Sequence, residues 1–345
     1  MPRDNSMEFN ISRENRMVRD AIRDWVSKEC PRDKIEEWDA ADKFPASLSK
    51  KLARLGFCAM TISENYGGEG QNVQGACIVA EEIAARFQPL ARWYTHQTFL
   101  GGLFIETMGD DIQKETLLPD CAKGKCLVSP AGLDDFQDSP VTFRTATADP
   151  SATAFILTGE STHVILADQA SRLLVPAMAE TDSRPETRTV FLVATDAPGV
   201  RIDPIDKIGC RGANYCRVRL DGVVVDERDM IGAAGATGRG SDPWQQVVDI
   251  CRLMTTAEAV GLARGAFGYT LDYARQRVQF GQAIGTFAAL RSRFVEMACD
   301  IDAAAMLLAK AAWCADNGLP FHRETAVARI KAGEVALRCA MEGLQ

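Results

Sequence analysis

The chain has 345 residues and 11 cysteines, but no C-x-x-C pair, only three histidines, no apolar run long enough to cross a bilayer and no excess of positive charge. Each absence removes a class of function. Without metal-ligand spacing and with an odd number of cysteines, neither a zinc module nor a disulfide framework is expected, and the scattered thiols read as buried side chains of a reducing cytosol. With a charged N-terminus and no membrane-length stretch, neither a signal peptide nor a transmembrane helix is expected, which places the protein in the cytoplasm. A net charge of -8, from 39 basic and 47 acidic side chains, supplies no bulk attraction for nucleic acid or anionic lipid, so an anionic ligand has to meet a local basic site. There is no internal repeat and no low-complexity segment.

What is present describes a globular protein. Hydrophobic residues make up 46% and charged residues 25%, enough apolar surface to exclude wholesale disorder, and the length calls for two or three domains or one multi-layer unit. Up to about residue 125 the pattern is helical, at 13–28, 45–55 and 73–85, with a further helix stopped by Pro119. From 126 to 232 it changes to short β-rich runs at 154–157, 172–175, 189–193, 217–220 and 223–225. Turn signals at Gly159, Pro198-Gly199 and Asp221-Gly222 separate these runs, as in a compact antiparallel barrel or sandwich. The glycines from Gly232 to Gly240 lack the Gly-Lys-Ser/Thr ending of a phosphate cradle and read as a linker.

From Asp242 onward the chain is helical. Apolar residues recur at Ile250, Leu253, Met254, Ala257 and Val260, then at Leu290, Phe294, Met297, Ile301, Ala305, Leu308 and Ala312. Gly261, Gly265 and Gly268 would allow close helix contact in a C-terminal bundle, and Val327, Ile330, Leu337, Met341 and Leu344 mark a last amphipathic run. The two long helical runs are separated by Arg275-Gln-Arg-Val-Gln-Phe-Gly-Gln-Ala-Ile-Gly285. Here Arg275 and Arg277 sit where cations offset a helix C-terminus, and Phe280-Gly281 lets the chain reverse. Such a corner either caps the helix or holds an anion.

Several stretches, in order, carry a family resemblance. Arg277-Val-Gln-Phe-Gly281 resembles the Arg-x-x-Phe-Gly signature of the acyl-CoA dehydrogenases. The stretch from Leu55 to Gly70, with Glu64-Asn-Tyr-Gly-Gly-Glu-Gly70, is similar to their Leu-Gly…Pro-Glu-x-Tyr-Gly-Gly-x-Gly segment, with Ser63 in place of the proline. Met108 to Pro119 followed by Gly124 resembles their Gly-x-x-x-Gln-Lys…Leu-Pro…Gly pattern, and 207–232 resembles the closing strands of their middle domain. The resemblance implies an α+β fold: an N-terminal helical domain (1–125), a middle antiparallel β-barrel domain (126–232) and a C-terminal helical bundle (241–345).

It also implies chemistry, namely FAD-dependent α,β-dehydrogenation of an acyl-CoA thioester in a homo- or hetero-oligomer, dimer or tetramer, that passes electrons to an acceptor. That reaction needs a flavin, hydrogen bonds to the thioester carbonyl and a carboxylate base at the α-carbon. For the cofactor, Arg277 and Phe280 match the corner that reaches the FAD pyrophosphate of a neighbouring subunit, and Gln345 matches a glutamine facing the adenosine diphosphate portion. Ser129 keeps a hydroxyl in the flavin segment Val128-Ser-Pro-Ala-Gly-Leu-Asp-Asp135, whose glutamate and Gly-Ser pair are lost. In Ser161-Thr-His-Val-Ile-Leu166, His163 replaces the family's tryptophan and Ile165 its flavin-bonding threonine; a histidine there is more often structural than catalytic. For the substrate, Asp249 and Arg252 match an Asp-x-x-Arg motif on the helix lining the coenzyme A channel, or form an intrahelical ion pair. Arg291 and Arg293 read as solvated. For the base there is no match. One family branch places a glutamate where this chain has Cys251, and the other family position lies beyond Gln345. The alternative is an inactive subunit with a binding or structural role in a hetero-oligomer.

Overall fold

A computed structural model describes residues 11–131, 141–146, 154–179, 188–232 and 242–345, so the expectations at 132–135 and 233–240 lie outside the described residues. The N-terminal helices are α1 (Arg13–Glu29), α2 (Arg32–Ala40), α3 (Ala46–Arg54), α4 (Val73–Ala84), α5 (Gln88–Thr95), α6 (Ile105–Met108) and α7 (Asp111–Ala122), with a π-helical stretch, His96–Phe104, between α5 and α6. Strands follow: β1 (Val128–Pro130), β2 (Val141–Ala146), β3 (Ala154–Ile165), β4 (Arg172–Ala179), β5 (Arg188–Ala194), β6 (Val200–Pro204), β7 (Tyr215–Asp226) and β8 (Met230–Ile231). The chain ends with α8 (Pro243–Gln276), the hairpin strands β9 (Val278–Gln279) and β10 (Gln282–Ala283), α9 (Ala288–Asp316) and α10 (His322–Leu344). By contacts it groups into two units. One is Met1–Ile35, Asn72–Arg92 and Cys251–Gln345; the other is Glu36–Gln71 and Trp93–Ile250.

The first unit is helical apart from the hairpin. Ser12 caps α1 by accepting from Asn15 N at 3.0 Å, and α4 is capped twice over: Asn72 accepts from Gly75 N (2.8 Å), while Asp316 accepts from Val73 N (2.6 Å) and Gln74 N (3.0 Å). The upstream apolar set of α8 is buried throughout, and Met297, Ile301, Leu308 and Ala312 are buried on α9. Gly261 and Gly265 do bring backbones together, since a Cβ on either would lie 2.4 Å from Glu81 O or 2.3 Å from Ala85 O; Gly268 faces open space and has no such role. The last amphipathic run differs from expectation. On α10 the buried residues are Thr325, Ala328, Ala332, Val335 and Cys339, while Val327, Ile330, Leu337, Met341 and Leu344 are exposed. The small residues pack inward, and the large apolar ones form an outer stripe.

In the second unit the strands form one sheet ordered β6-β7-β3-β2-β4-β5-β8, with β1 pairing β4. Pairing is antiparallel except at β1–β4 and β2–β4, so the sheet is not the purely antiparallel one expected. Two supposed turns lie inside strands. Gly159 belongs to β3, and Asp221-Gly222 belongs to β7, where Cys216, Val218 and Leu220 alternate inward before the phase slips to Val223 and Val225. The slip is a bulge opposite Leu157/Thr158, and Gly222 takes it at φ +65°. Pro119 does not end its helix either. It sits inside α7, and the Glu115 carbonyl it leaves without a helical donor is on an exposed residue. The helix closes instead at Gly124 (φ +69°), with Lys125 N donating to Asp120 O (2.8 Å) and Gly124 N to Cys121 O (3.0 Å).

The Leu55–Gly70 stretch makes two short 3-10 turns, and its glycines answer to sterics. A Cβ on Gly68 would stand 1.9 Å from the Ile62 carbonyl oxygen, a backbone atom that no rotamer change can move. Gly68→Ala is therefore expected to cost about 1–3 kcal/mol, seen as a lowered unfolding midpoint. An unchanged midpoint would mean this turn opens without cost.

Candidate functional site

Arg277 N closes the last turn of α8 on Tyr273 O (2.8 Å), and the chain reverses at once through β9 and β10, with Gln279 opposite Gln282. Phe280 (φ +51°) and Gly281 (φ +78°) form the two-residue loop, a type I′ turn. Glycine takes that conformation freely. A bulky aromatic does so at a cost of about 1–3 kcal/mol. Yet Phe280 is 93% exposed, touching Phe287 edge-on with ring centroids 6.3 Å apart. Arg277 is also exposed, and its guanidinium has no side-chain partner among the described residues. Arg275, two residues back, makes an exposed contact with Asp272 (3.7 Å), worth little to the fold. A strained aromatic and an unengaged cation thus stand side by side on the outside of the chain.

On α8, Asp249 is buried and accepts from Gln245 Nε2 at 3.0 Å, while Arg252 lies 3.3 Å from His322 Nδ1 through Nη1. Cys251 lies between them, and burial pushes its thiol up to about 12, with the Glu258 carboxylate adding to the shift. It is neutral near pH 7 and cannot serve as a base. Seven residues on, hence on the same helix face and about 10 Å along it, comes a group the sequence analysis missed. Glu258 is 1% exposed, in ion-pair contact with Arg92 Nε (2.9 Å), and it accepts from Gln88 Nε2 (3.0 Å). A lone glutamate between Ala257 and Val260, both on the apolar face, was the available signal.

In the sheet, Ser129 is fully buried on β1, and its hydroxyl donates to the Ile165 carbonyl. That fixes the end of β3 and leaves the oxygen lone pairs as the hydroxyl's remaining capacity. The next residue, Leu166, is held at φ +59°. A branched aliphatic side chain rarely adopts this left-handed region. His163 is exposed, its Nδ1 2.8 Å from the Thr162 hydroxyl. At the other end, Gln345 is exposed and lines a cavity of about 380 Å³ with Tyr269, Tyr273, Arg293 and Phe294. Arg293 is not merely solvated, because it pairs with Glu342, whereas Arg291 is exposed.

Helices, a β sheet and helices again, with an outward arginine corner at the end of a long helix, define an α+β class of chain. Comparison with known proteins narrows it. Residues 12–125 match the acyl-CoA dehydrogenase N-terminal domain and residues 238–345 the acyl-CoA dehydrogenase C-terminal domain. The probable acyl-CoA dehydrogenase YngJ of Bacillus subtilis (strain 168) is 30% identical over 98% of this chain and 89% of its own. Benzylmalonyl-CoA dehydrogenase of Aromatoleum aromaticum is 29% identical over 96% of this chain and 86% of its own. The structure of butyryl-CoA dehydrogenase from Megasphaera elsdenii superposes with a TM-score of 0.88 at 24% identity, over 98% of this chain and 89% of that one, a likeness of fold. The chain belongs to the acyl-CoA dehydrogenase family. Among the described residues, no helix is long and apolar enough to cross a membrane.

Proposed function

We propose that this protein is an FAD-dependent acyl-CoA dehydrogenase of the cytoplasm, working as an oligomer in which the Arg277 corner of one chain holds the pyrophosphate of its neighbour's FAD. The reading rests on the pairing of an exposed Phe280 at positive φ with an Arg277 whose guanidinium has no side-chain partner among the described residues. The exposed stripe on α10, ending at Leu344 (83% exposed), is the kind of contiguous apolar surface that a second chain covers. Bound FAD would supply the acceptor for the hydride leaving the acyl β-carbon. The corner fits that cofactor: Arg277 offers a guanidinium to the pyrophosphate, Phe280 an aromatic face, and Gln345 an amide to the nucleotide portion. Ser129 could only accept from the flavin, since its proton is committed to Ile165. Asp249 and Arg252 would meet polar parts of the coenzyme A arm, and an electron acceptor would reoxidise the enzyme. In this reading the chain keeps three segments, 1–125, 126–232 and 241–345.

One observation favours a second reading, an inactive subunit in a hetero-oligomer: the thiol at 251 is neutral and no carboxylate occupies that place. A visible spectrum of the purified protein, before and after anaerobic addition of a panel of acyl-CoAs, separates the two. Flavin absorbance that bleaches supports the enzyme; flavin that stays oxidised with every thioester supports the subunit. Arg277→Ala is expected to lower FAD occupancy at least about tenfold, the scale of losing a charged hydrogen-bonding partner. Unchanged occupancy would overturn the assignment of the corner.

A further inference from the structure

We propose that the outer face of α10 is a helix seam that packs antiparallel on the same seam of a second copy of this chain, about a two-fold axis between Glu334 and Leu337. The helix carries two faces in one phase. The residues it buries, from Thr325 to Cys339, fall three and four apart. Two positions on from each lies an exposed residue, giving Val327, Ile330, Glu334, Leu337 and Met341, and Leu344 continues the row. Two positions are about 200° of helix, so the second row stands opposite the first. Its strict alternation of threes and fours is the a/d repeat of a helix packed along its length on another helix, a pattern that a face meeting only water does not need. This contact belongs to the oligomer proposed above, but nothing in it depends on flavin.

What borders the seam suits a second helix. On one side stand Ala326, Gly333 and Ala340, a heptad apart, with no side chain long enough to hold a neighbouring helix away. On the other side Lys331 and Arg338 turn to α9. Each reaches Asp300 at 2.7 Å, and Arg338 also reaches Glu296 at 2.5 Å. Beyond this ion row α9 shows a second exposed strip, Val295, Cys299, Ala303 and Met306. The two helices thus present one outward surface about 35 Å long and about 20 Å across. Its area of about 700 Å² is close to the roughly 800 Å² that each partner of a stable complex buries.

Charge sets the direction. Glu334 is the polar member of the seam; it is exposed, and among the described residues no cation pairs with it. In a parallel pair each Glu334 would face its own copy, and like charges so placed repel. Reversed, the seam sets Val327 against the partner's Leu344, Ile330 against the partner's Met341 and Glu334 against the partner's Leu337. Arg338 of the partner subunit then comes alongside the Glu334 carboxylate. Although Arg338 is already held by Glu296 and Asp300, its planar fork has donors to spare. A polar residue at a single a position fixes register at some cost in stability, and that is the role this geometry gives Glu334. A two-fold contact also closes on itself and leaves no open seam for a third copy.

A double cysteine variant reads the register directly. Val327→Cys and Leu344→Cys are placed together in a Cys299→Ser chain, whose other cysteines are buried or half-buried. The folded protein is oxidised with diamide, digested and mapped by mass spectrometry. Position 327 stands about 25 Å from 344 along its own helix, too far for a disulfide within one chain. A bond joining 327 to 344 therefore comes from two antiparallel chains, and it is the expected product. Bonds of 327 to 327 or 344 to 344, or no bond in a protein that melts as the native chain does, would overturn the seam. Leu337→Glu changes a residue exposed in the single chain, so it should fold normally. It should remove the bond and raise the dissociation constant of the assembly, measured by sedimentation, at least about tenfold. Should the cysteine variant fail to fold, sedimentation decides alone: a Leu337→Glu chain that assembles as tightly as the native one overturns the seam. Adding Arg277→Ala should leave the 327–344 bond in place, so that failure of the cofactor corner and failure of the seam are read apart.

Discussion

Cys251→Glu is expected to raise the rate at which an acyl-CoA reduces bound flavin by about 10²–10⁴-fold, the span that a positioned general base contributes. The α-proton of a thioester is weakly acidic, and the native side chain here is a thiol raised by burial to about 12. A glutamate at this place, where one branch of the family carries it, would experience the same burial, which raises a carboxylate instead of disabling it. A carboxylate shifted upward toward neutrality is a better proton acceptor than an ordinary one while still largely ionised at mildly alkaline pH. The control is Cys251→Gln, which has the same shape and no base. Anaerobic stopped-flow bleaching of flavin gives the rates, and a thermal melt gives the cost of the added buried charge. If the glutamate variant binds FAD and bleaches no faster than the glutamine variant, position 251 does not face the α-carbon, and the reading of an inactive subunit gains the ground.

Much of the architecture was legible because its signals are local. Helices α1, α3 and α4 end within two residues of the spans that periodicity marks, and β4 and β5 contain the apolar runs that announced them. What failed was what depends on neighbours. Asp221-Gly222 has turn chemistry, yet β3 lies alongside and turns it into a bulge. Pro119 has the chemistry of a stop, yet capping at both ends carries α7 past it. The α10 stripe from Val327 to Leu344 has the periodicity of a core face, yet its large apolar residues are exposed and the small ones pack inward. At the site, the basic, glycine-punctuated corner was visible as a corner. That Phe280 would occupy the left-handed region, unburied, was not, since φ follows from the hairpin register. Glu258 went unremarked because a single carboxylate in an apolar run has meaning only beside its cation, and Arg92 is far away in sequence.

That pair carries the second large effect. Arg92→Ala is expected to destabilise the helical unit by about 3–5 kcal/mol, because removing one member of a buried pair strands the other's charge. Glu258 is 1% exposed and Arg92 only 17%, so water cannot take over the carboxylate's solvation. Two groups soften the loss. Gln88 still donates to Oε2, and the Arg329 guanidinium is close enough to both partners for its own pKa to be lowered, by burial first and then by Arg92, against the attraction of Glu258. The lower end of the range is therefore the expected value. The readout is the midpoint of the first unfolding transition in urea, since a chain with two units need not unfold in one step. Replacing both partners at once, Arg92→Met with Glu258→Leu, removes the stranded charge along with its partner and should restore most of the lost stability, because a well-packed apolar pair often equals or exceeds a buried ionic one. A double variant no better than Arg92→Ala would show that the cost lies in lost packing around the arginine stem, and that the carboxylate was never the group at risk.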